Sequence, residues 1–405
     1  MEEILHKTAS NVTLETATWI NKLIGFTQSM GGACAIWKVP AEDKIHLLAD
    51  FSGGQTVHDI ELDKLNKGFF IAPFEQGKYK SVHLKADLQG EIAFTKSTPG
   101  DKTEVRWKND SSIFERQVYD HLVNNDKIAF AGNETEHIQS TSKEAYCEWV
   151  EKGINAIKKE TFAKIVPSKI KVVKTNAPVD YGRAYIKTAA AYENAFVSLT
   201  VSPASGIWLG ASPEILIEDI KGGDFKTVAL AGTQPKTEKL IAETAWTQKE
   251  IEEQAYVSRY IINCFKKIRL RDYSEIGPRT IAAGNLLHLK TTYRVDKAAV
   301  NFPELASVML DLIHPTSAVC GMPKAPSLDF LHKHETHDRA YFSGFLGPVH
   351  QEGKTSLYVN LRCCQFLEDQ AVFYAGAGVT EDSDPEKEWN ETEMKCAVLA
   401  NVIFD

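Results

Sequence analysis

Short apolar runs rich in β-branched and aromatic residues, separated by turn residues, recur along most of the chain and predict strands. They cover Gly32–Lys38, Ile45–Ala49, Gly68–Ala72, Ala184–Thr188, Ala195–Ser202, Gly206–Ile217, Thr227–Ala231, Ser356–Phe366 and Ala371–Ala375. The connections Ser202-Pro203-Ala204-Ser205-Gly206 and Glu368-Asp369-Gln370 are too short for a crossover, so the strands they join should be antiparallel. A 3.6-residue period instead predicts helices over Lys143–Lys159, Thr237–Arg269, Leu305–Leu312 and Pro385–Ile403. These are scattered among the strands rather than alternating with them one for one, which selects an α+β fold over a doubly wound parallel sheet. The first 130 residues have turn clusters at Ser52-Gly53-Gly54 and Thr98-Pro99-Gly100 but no chemical constellation, and read as sheet-building. With no linker, charge block or repeat, one continuous domain over residues 1–405 is expected, the candidate chemistry lying within 160–405.

Composition narrows the class. With 43% hydrophobic and 25% charged residues the chain is an ordinary globular one. A net charge of -8 with both signs interspersed argues against nucleic-acid binding, and an anionic substrate would need a local positive pocket. The 7 cysteines form no CxxC pair and no zinc spacing, and read as reduced thiols. Met1-Glu2-Glu3-Ile4 does not open a secretory leader, and no run is long and apolar enough to span a membrane, so a cytoplasmic protein is expected.

The densest candidate chemistry is C-terminal. Asp384 can cap a helix with Pro385 in its first turn, which aligns Glu388, Glu391 and Lys395 on one stripe and turns Trp389, Val398, Val402 and Ile403 toward a core. The stripe is either a solvated face with a Glu391–Lys395 pair or a pair of hard oxygen ligands suited to Mg²⁺. Just before it, Gly376-Ala377-Gly378 lets backbone N–H groups approach an anion closely. Alternation along Ser356–Phe366 sets Tyr358, Asn360, Arg362 and Cys364 on one face, where Arg362 can clamp a carboxylate or make a cross-strand ion pair. Lys164, among apolar neighbours, is a buried base or a snorkelling surface residue; Glu214, after Ser212-Pro213, is a carboxyl held neutral or a turn carboxylate. Glu250 and Glu253 share a face near a helix start, and His288 and His314 sit in apolar runs.

In their order along the chain these blocks resemble the chorismate-utilising enzymes, which include isochorismate, salicylate, anthranilate and aminodeoxychorismate synthases. The resemblance runs from Lys164-Ile165-Val166-Pro167-Ser168 through Gly210–Glu214, Ala231-Gly232-Thr233, Lys249–Glu253, Leu287-His288-Leu289, His314–Gly321, Asp338–Gly344 and Leu361-Arg362 to the C-terminal signature. It implies two antiparallel sheets packed face to face with helices outside. By residue, it implies Mg²⁺ on Glu253 and Glu391 with Glu388 nearby, and the ring carboxylate of chorismate beside Thr233 and Gly232. Arg362 and Tyr341 would clamp the enolpyruvyl carboxylate, Gly376, Gly378 and Lys395 would complete the anionic site, and His288 would lie near the ring. Lys164 would activate water and Glu214 would protonate the leaving C4 hydroxyl. Lys164 and Ala318 together point to an isochorismate synthase, ahead of a salicylate synthase or a nitrogen-incorporating enzyme, with a non-catalytic metal-binding protein more remote. The expected ligand is a small molecule, with no membrane, nucleic acid or obligatory protein partner, and the product would feed menaquinone or catecholate siderophore synthesis.

Overall fold

The computed structural model describes residues 14–94, 102–103, 105–108, 138–175, 178–236, 241–283 and 286–404. The Thr98-Pro99-Gly100 turn and positions 237–240 of the expected second helix fall outside them. Helices within the described residues are α1 (Thr16–Ser29), α2 (Lys143–Lys158), α3 (Tyr181–Ala191), α4 (Gln248–Lys267), α5 (Leu305–Ile313), α6 (Lys324–His334) and α7 (Pro385–Phe404).

Two antiparallel sheets of nine strands carry the architecture. The first runs, in spatial order, Ser168–Lys174, Gln370–Gly376, Cys363–Phe366, Gly206–Ser212, Phe196–Ser202, Ala33–Lys38, Lys44–Asp50, Leu88–Ala93 and Arg106–Trp107. The second runs Ser274–Ala283, Leu286–Asp296, Asp224–Pro235, Ile215–Ile220, Lys354–Val359, Phe345–Val349, Gly68–Ala72, Ser81–Lys85 and Gln55–Val57. Strands between 33 and 93 thus enter both sheets.

Most central strands are buried on both faces, which is why they read as continuous apolar runs. In Ala33–Lys38, Cys34 and Ile36 pack toward the helical layer of the first sheet, while Ala33, Ala35 and Trp37 point to the layer between sheets. There Trp37 meets Phe69, and the Phe196 and Tyr358 rings stack at 4.0 Å. Helices α1, α3 and α7 cover the outer face of the first sheet through Trp19, Tyr185 and Leu399. Trp149, Val257, Met309 and Leu331, from α2, α4, α5 and α6, cover the second. Both short connections make hairpins, Ser202 pairing with Gly206 and Phe366 with Ala371.

Three expected strands come out differently. Ala184–Thr188 lies inside α3, because Tyr181, Ala184, Tyr185, Thr188 and Ala189 follow a helical period and are all buried. Asp180 caps that helix, accepting from Arg183 N at 2.8 Å and from Asn21 Nδ2 at 2.7 Å. Gly206–Ile217 divides at Pro213 into Gly206–Ser212 and Ile215–Ile220, one strand in each sheet. Ser356–Phe366 divides likewise into Lys354–Val359 and Cys363–Phe366, so alternation does not carry across residues 360–362, and Arg362 stands at φ 48°. Helices α1 and α6 were not expected: α1 falls in the illegible N-terminal region, and Lys324–His334 buries only Ser327 and Leu331, too little to write a stripe.

Candidate active site

Glu214 and Arg362 occupy the two corners at which the chain leaves one sheet for the other. The corners are stitched together: Ser212 Oγ donates to Val359 O at 2.6 Å, Val359 N to Glu214 O at 3.0 Å, and Ala211 N to Arg362 O at 3.0 Å. A small cavity of about 70 Å³ opens there, lined by Glu214, Arg362, Gly232, Thr233, Glu253, His288, Ala318, Gly376 and Lys395, with Ser168, Arg339, Phe342, Ser343 and Tyr374.

The charges on this lining are set by burial. Glu214 is 4% exposed, and burial pushes its carboxyl up to about 8 against the pull of Lys164, Lys395 and Arg362, so it is protonated at neutral pH. Burial lowers Arg362 to about 10 despite Glu391 nearby, and among the described residues no carboxylate pairs with its guanidinium. His288 Nδ1 lies 2.9 Å from Gly232 O, an acceptor only, so the neutral ring places its proton on Nδ1. Nε2 is then a buried acceptor without a partner, and burial with Arg362 nearby lowers the ring to about 3. The cavity therefore offers a neutral acid, a fixed cation and a bare acceptor.

One wall is backed by three lysine–glutamate pairs, of which Glu253 and Lys395 reach the lining. Lys164 Nζ, with no exposed surface, is 3.0 Å from Glu253 Oε1 of α4. Lys249 Nζ, from the first turn of α4, is 2.5 Å from Glu388 Oε1, and Lys395 Nζ is 2.6 Å from Glu391 Oε1 on α7. Lys395 also donates to Gly376 O at 2.8 Å, which ties the charged stripe to the glycine segment. A β-carbon added at Gly378 would stand 2.3 Å from Glu253 Oε1, so only glycine lets that carboxylate reach Lys164. Asp384 caps α7, accepting from Lys387 N at 2.9 Å. Burial, with Glu391 adding, raises Glu388 to about 7 against the pull of Lys249. Its second oxygen is buried without a hydrogen-bond partner.

Among the described residues no three acidic, histidine or cysteine side chains close on a common point as a metal cluster. Each carboxylate is closed by a lysine instead. The donor set nevertheless fits a hard divalent cation, being all carboxylate oxygen with one oxygen of Glu388 unsatisfied.

Tyr341 is not part of the cavity lining. Its hydroxyl donates to Lys80 O at 2.9 Å and its ring packs edge-on against Trp208, in the layer between the sheets. The turn holding Ala340 at φ 47° and Ser343 at φ 60° turns the next residue inward, so Phe342 and Ser343 face the cavity. Tyr341 was assigned through the family resemblance alone, with no periodicity in the sequence to place its ring. Lys164, Gly378, Glu388 and Glu391 lie behind the lining rather than on it. Of the paired glutamates, Glu250 belongs to helix initiation, accepting from Thr247 N at 2.8 Å, and Glu253 to the site. His314 is a core histidine, its Nε2 3.1 Å from Phe74 O. Ser168 was missed because its neighbours suggested only a strand, and Lys249 because a lysine beside three glutamates resembles an ordinary helix face.

The molecule is a sandwich of two large antiparallel sheets with a charged, glycine-edged cavity at its corners, and residues 92–404 match the family described as chorismate binding enzyme. The chain belongs to that family. It is 29% identical over 242 residues to isochorismate synthase EntC of Escherichia coli, across 58% of this chain and 61% of that protein. To isochorismate synthase DhbC of Bacillus subtilis it is 31% identical over 195 residues, across 46% and 48%. The chain thus spans about half to three fifths of the length of these curated relatives. In fold it is similar to MenF, the menaquinone-specific isochorismate synthase from Escherichia coli, with TM-score 0.72 at 17% identity over 97% of this chain and 94% of that one. It is also similar to anthranilate synthase component I from Streptococcus pneumoniae, with TM-score 0.65 at 16% identity over 90% and 89%. At such identities the likeness is one of fold.

Proposed function

We propose that the chain converts chorismate to isochorismate, water adding at C2 as the C4 hydroxyl leaves, with Mg²⁺ as cofactor. The observation that carries this reading is a carboxyl held protonated on the cavity lining, Glu214, with the fully buried Lys164 behind the lining and within electrostatic reach of it. A general acid is then available at neutral pH. In this reading Lys164 Nζ, as the free amine released from its pair with Glu253, takes the proton from water, and Glu214 gives one to the departing hydroxyl. Arg362 presents a two-pronged donor to a substrate carboxylate, and Lys395 with the Gly376 segment adds positive potential. His288 Nε2, a bare acceptor, takes a hydrogen bond from a ring hydroxyl. Ala318 on the lining leaves no side-chain hydroxyl there, in keeping with release of isochorismate rather than further elimination to salicylate. Glu253, Glu388 and Glu391 would hold Mg²⁺, which supplies charge neutralisation for a substrate carboxylate. Relatives named as isochorismate synthases support the reaction class, and the product would enter menaquinone or catecholate siderophore synthesis.

Purified protein incubated with chorismate and Mg²⁺, with and without ammonium, should yield isochorismate in both cases and nothing once EDTA is added. Anthranilate with ammonium, or salicylate as the first product, would overturn the assignment.

A further inference from the structure

The position of Lys249 has no explanation in its own helix. It is the second residue of α4, where a positive charge opposes the helix dipole, and it precedes Glu253 by four residues, the less favourable order for such a pair. Its ammonium instead crosses to α7, 2.5 Å from Glu388 Oε1, and Glu253 and Glu391 also lie within its electrostatic reach. Glu388 is almost fully buried, and its other oxygen has no hydrogen-bond partner. One cation on a flexible stem therefore bridges the two helices, paired with Glu388 and within electrostatic reach of the other two carboxylates that the proposed function gives to Mg²⁺.

We propose that Lys249 is the resident cation of this site and competes with Mg²⁺ for Glu388, so that it sets the metal concentration at which the site fills. This rests on the proposed metal dependence. With Lys164 on Glu253, Lys249 on Glu388 and Lys395 on Glu391, every carboxylate is neutralised before any metal arrives. Without that counter-ion, Glu388, already raised to about 7, would be a neutral acid at neutral pH and a costly buried charge above it. Lys249 keeps the empty site folded. It is also the pair best able to open, because its side chain is 23% exposed whereas that of Lys164 has no exposure and Lys395 is anchored to Gly376 O. When Lys249 swings out, the Glu388 oxygen it held is freed beside the one already without a partner.

The test uses the full chain with Lys249→Met, Lys249→Gln and Lys249→Arg. Binding of Mg²⁺ is read by calorimetry, and binding of Mn²⁺ by loss of the free-ion electron paramagnetic resonance signal, both without substrate. Loss of the competing charge should tighten cation binding about tenfold in the Met and Gln variants, since affinity at oxygen sites follows ligand charge. Arg, which keeps the charge, should stay near the wild type. Melting curves should show the Met variant less stable than wild type without cation and gaining more on its addition. Equal or weaker cation binding by folded Met and Gln variants would overturn the proposal, Lys249 then being a support for Glu388. If that happens while wild type still needs Mg²⁺ to make isochorismate, only this inference falls. If wild type binds neither cation, with chorismate present or absent, the proposed cofactor falls with it.

Discussion

Replacing Glu214 by glutamine separates the energetic from the chemical role of this carboxyl. In the folded chain it is 4% exposed and titrates at about 8, whereas in the unfolded chain it is an ordinary glutamate near 4.5. Between those values the folded state holds a proton that the unfolded state has released, so wild-type stability is fully present below about pH 4.5 and is lost as pH rises through about 8. At 1.36 kcal/mol per pH unit, the loss relative to pH 4.5 comes to about 3 kcal/mol at pH 7 and about 5 kcal/mol above pH 8. Glu214→Gln has no proton to release, so its urea-unfolding free energy should gain on the wild type by those amounts as pH rises, offset by about 1 kcal/mol for an imperfectly paired amide. The same variant should lose about 10²–10⁴-fold in kcat, because no proton reaches the leaving hydroxyl. The alkaline limb of wild-type kcat/KM, expected near pH 8, should disappear from its residual activity. Unfolding should be followed at pH 5, 7 and 8.5, and turnover over the same range. Parallel stability curves for the two proteins would mean that Glu214 is ionised in the fold, and near-normal turnover would move the acid elsewhere.

Lys164→Ala should cost about 10²–10⁴-fold in kcat with chorismate binding retained, since Lys164 lies behind Glu253 rather than against a substrate carboxylate; turnover near wild type would reassign the base, with His288 next in line. Arg362→Lys keeps the charge but loses the fork, and kcat/KM should fall by roughly 2–4 kcal/mol of transition-state stabilisation with the melting temperature nearly unchanged; an unfolded variant with normal activity per folded molecule would make Arg362 structural. Tyr341→Phe should leave kcat and KM within about twofold while lowering stability by about 1 kcal/mol for the lost bond to Lys80 O, and a large rise in KM would return Tyr341 to the substrate site.

The fold class was legible because central strands buried on both faces leave continuous apolar runs, and because the two hairpins announce themselves by short polar connections. What could not be read was where a run changes sheet. Gly206–Ile217 and Ser356–Phe366 are each one pattern in sequence and two strands in space, since Pro213 and the left-handed Arg362 turn the chain without breaking its apolar character. The helix α3 was misread because five residues of Ala-Tyr-Ile-Lys-Thr fit either period, and only Asp180 as a cap decides between them. Near the cavity, the stripe of Glu388, Glu391 and Lys395 was legible from helical spacing, whereas spacing left Glu253 level with Glu250 and only the family resemblance chose it. Lys249 was not legible, because a pattern reports which residues share a face and not which helix the face meets.

The stitched corners have a mechanical meaning. Glu214 and Arg362 lie 148 positions apart in the chain, yet three hydrogen bonds join their turns directly. Were the two sheets to shear against each other, both residues would ride on the same seam, and the spacing between them would hold while the rest of the cavity deformed. Transplanting this chemistry into another sandwich would therefore require both corners as one block, with the Ser212 hydroxyl that fastens them.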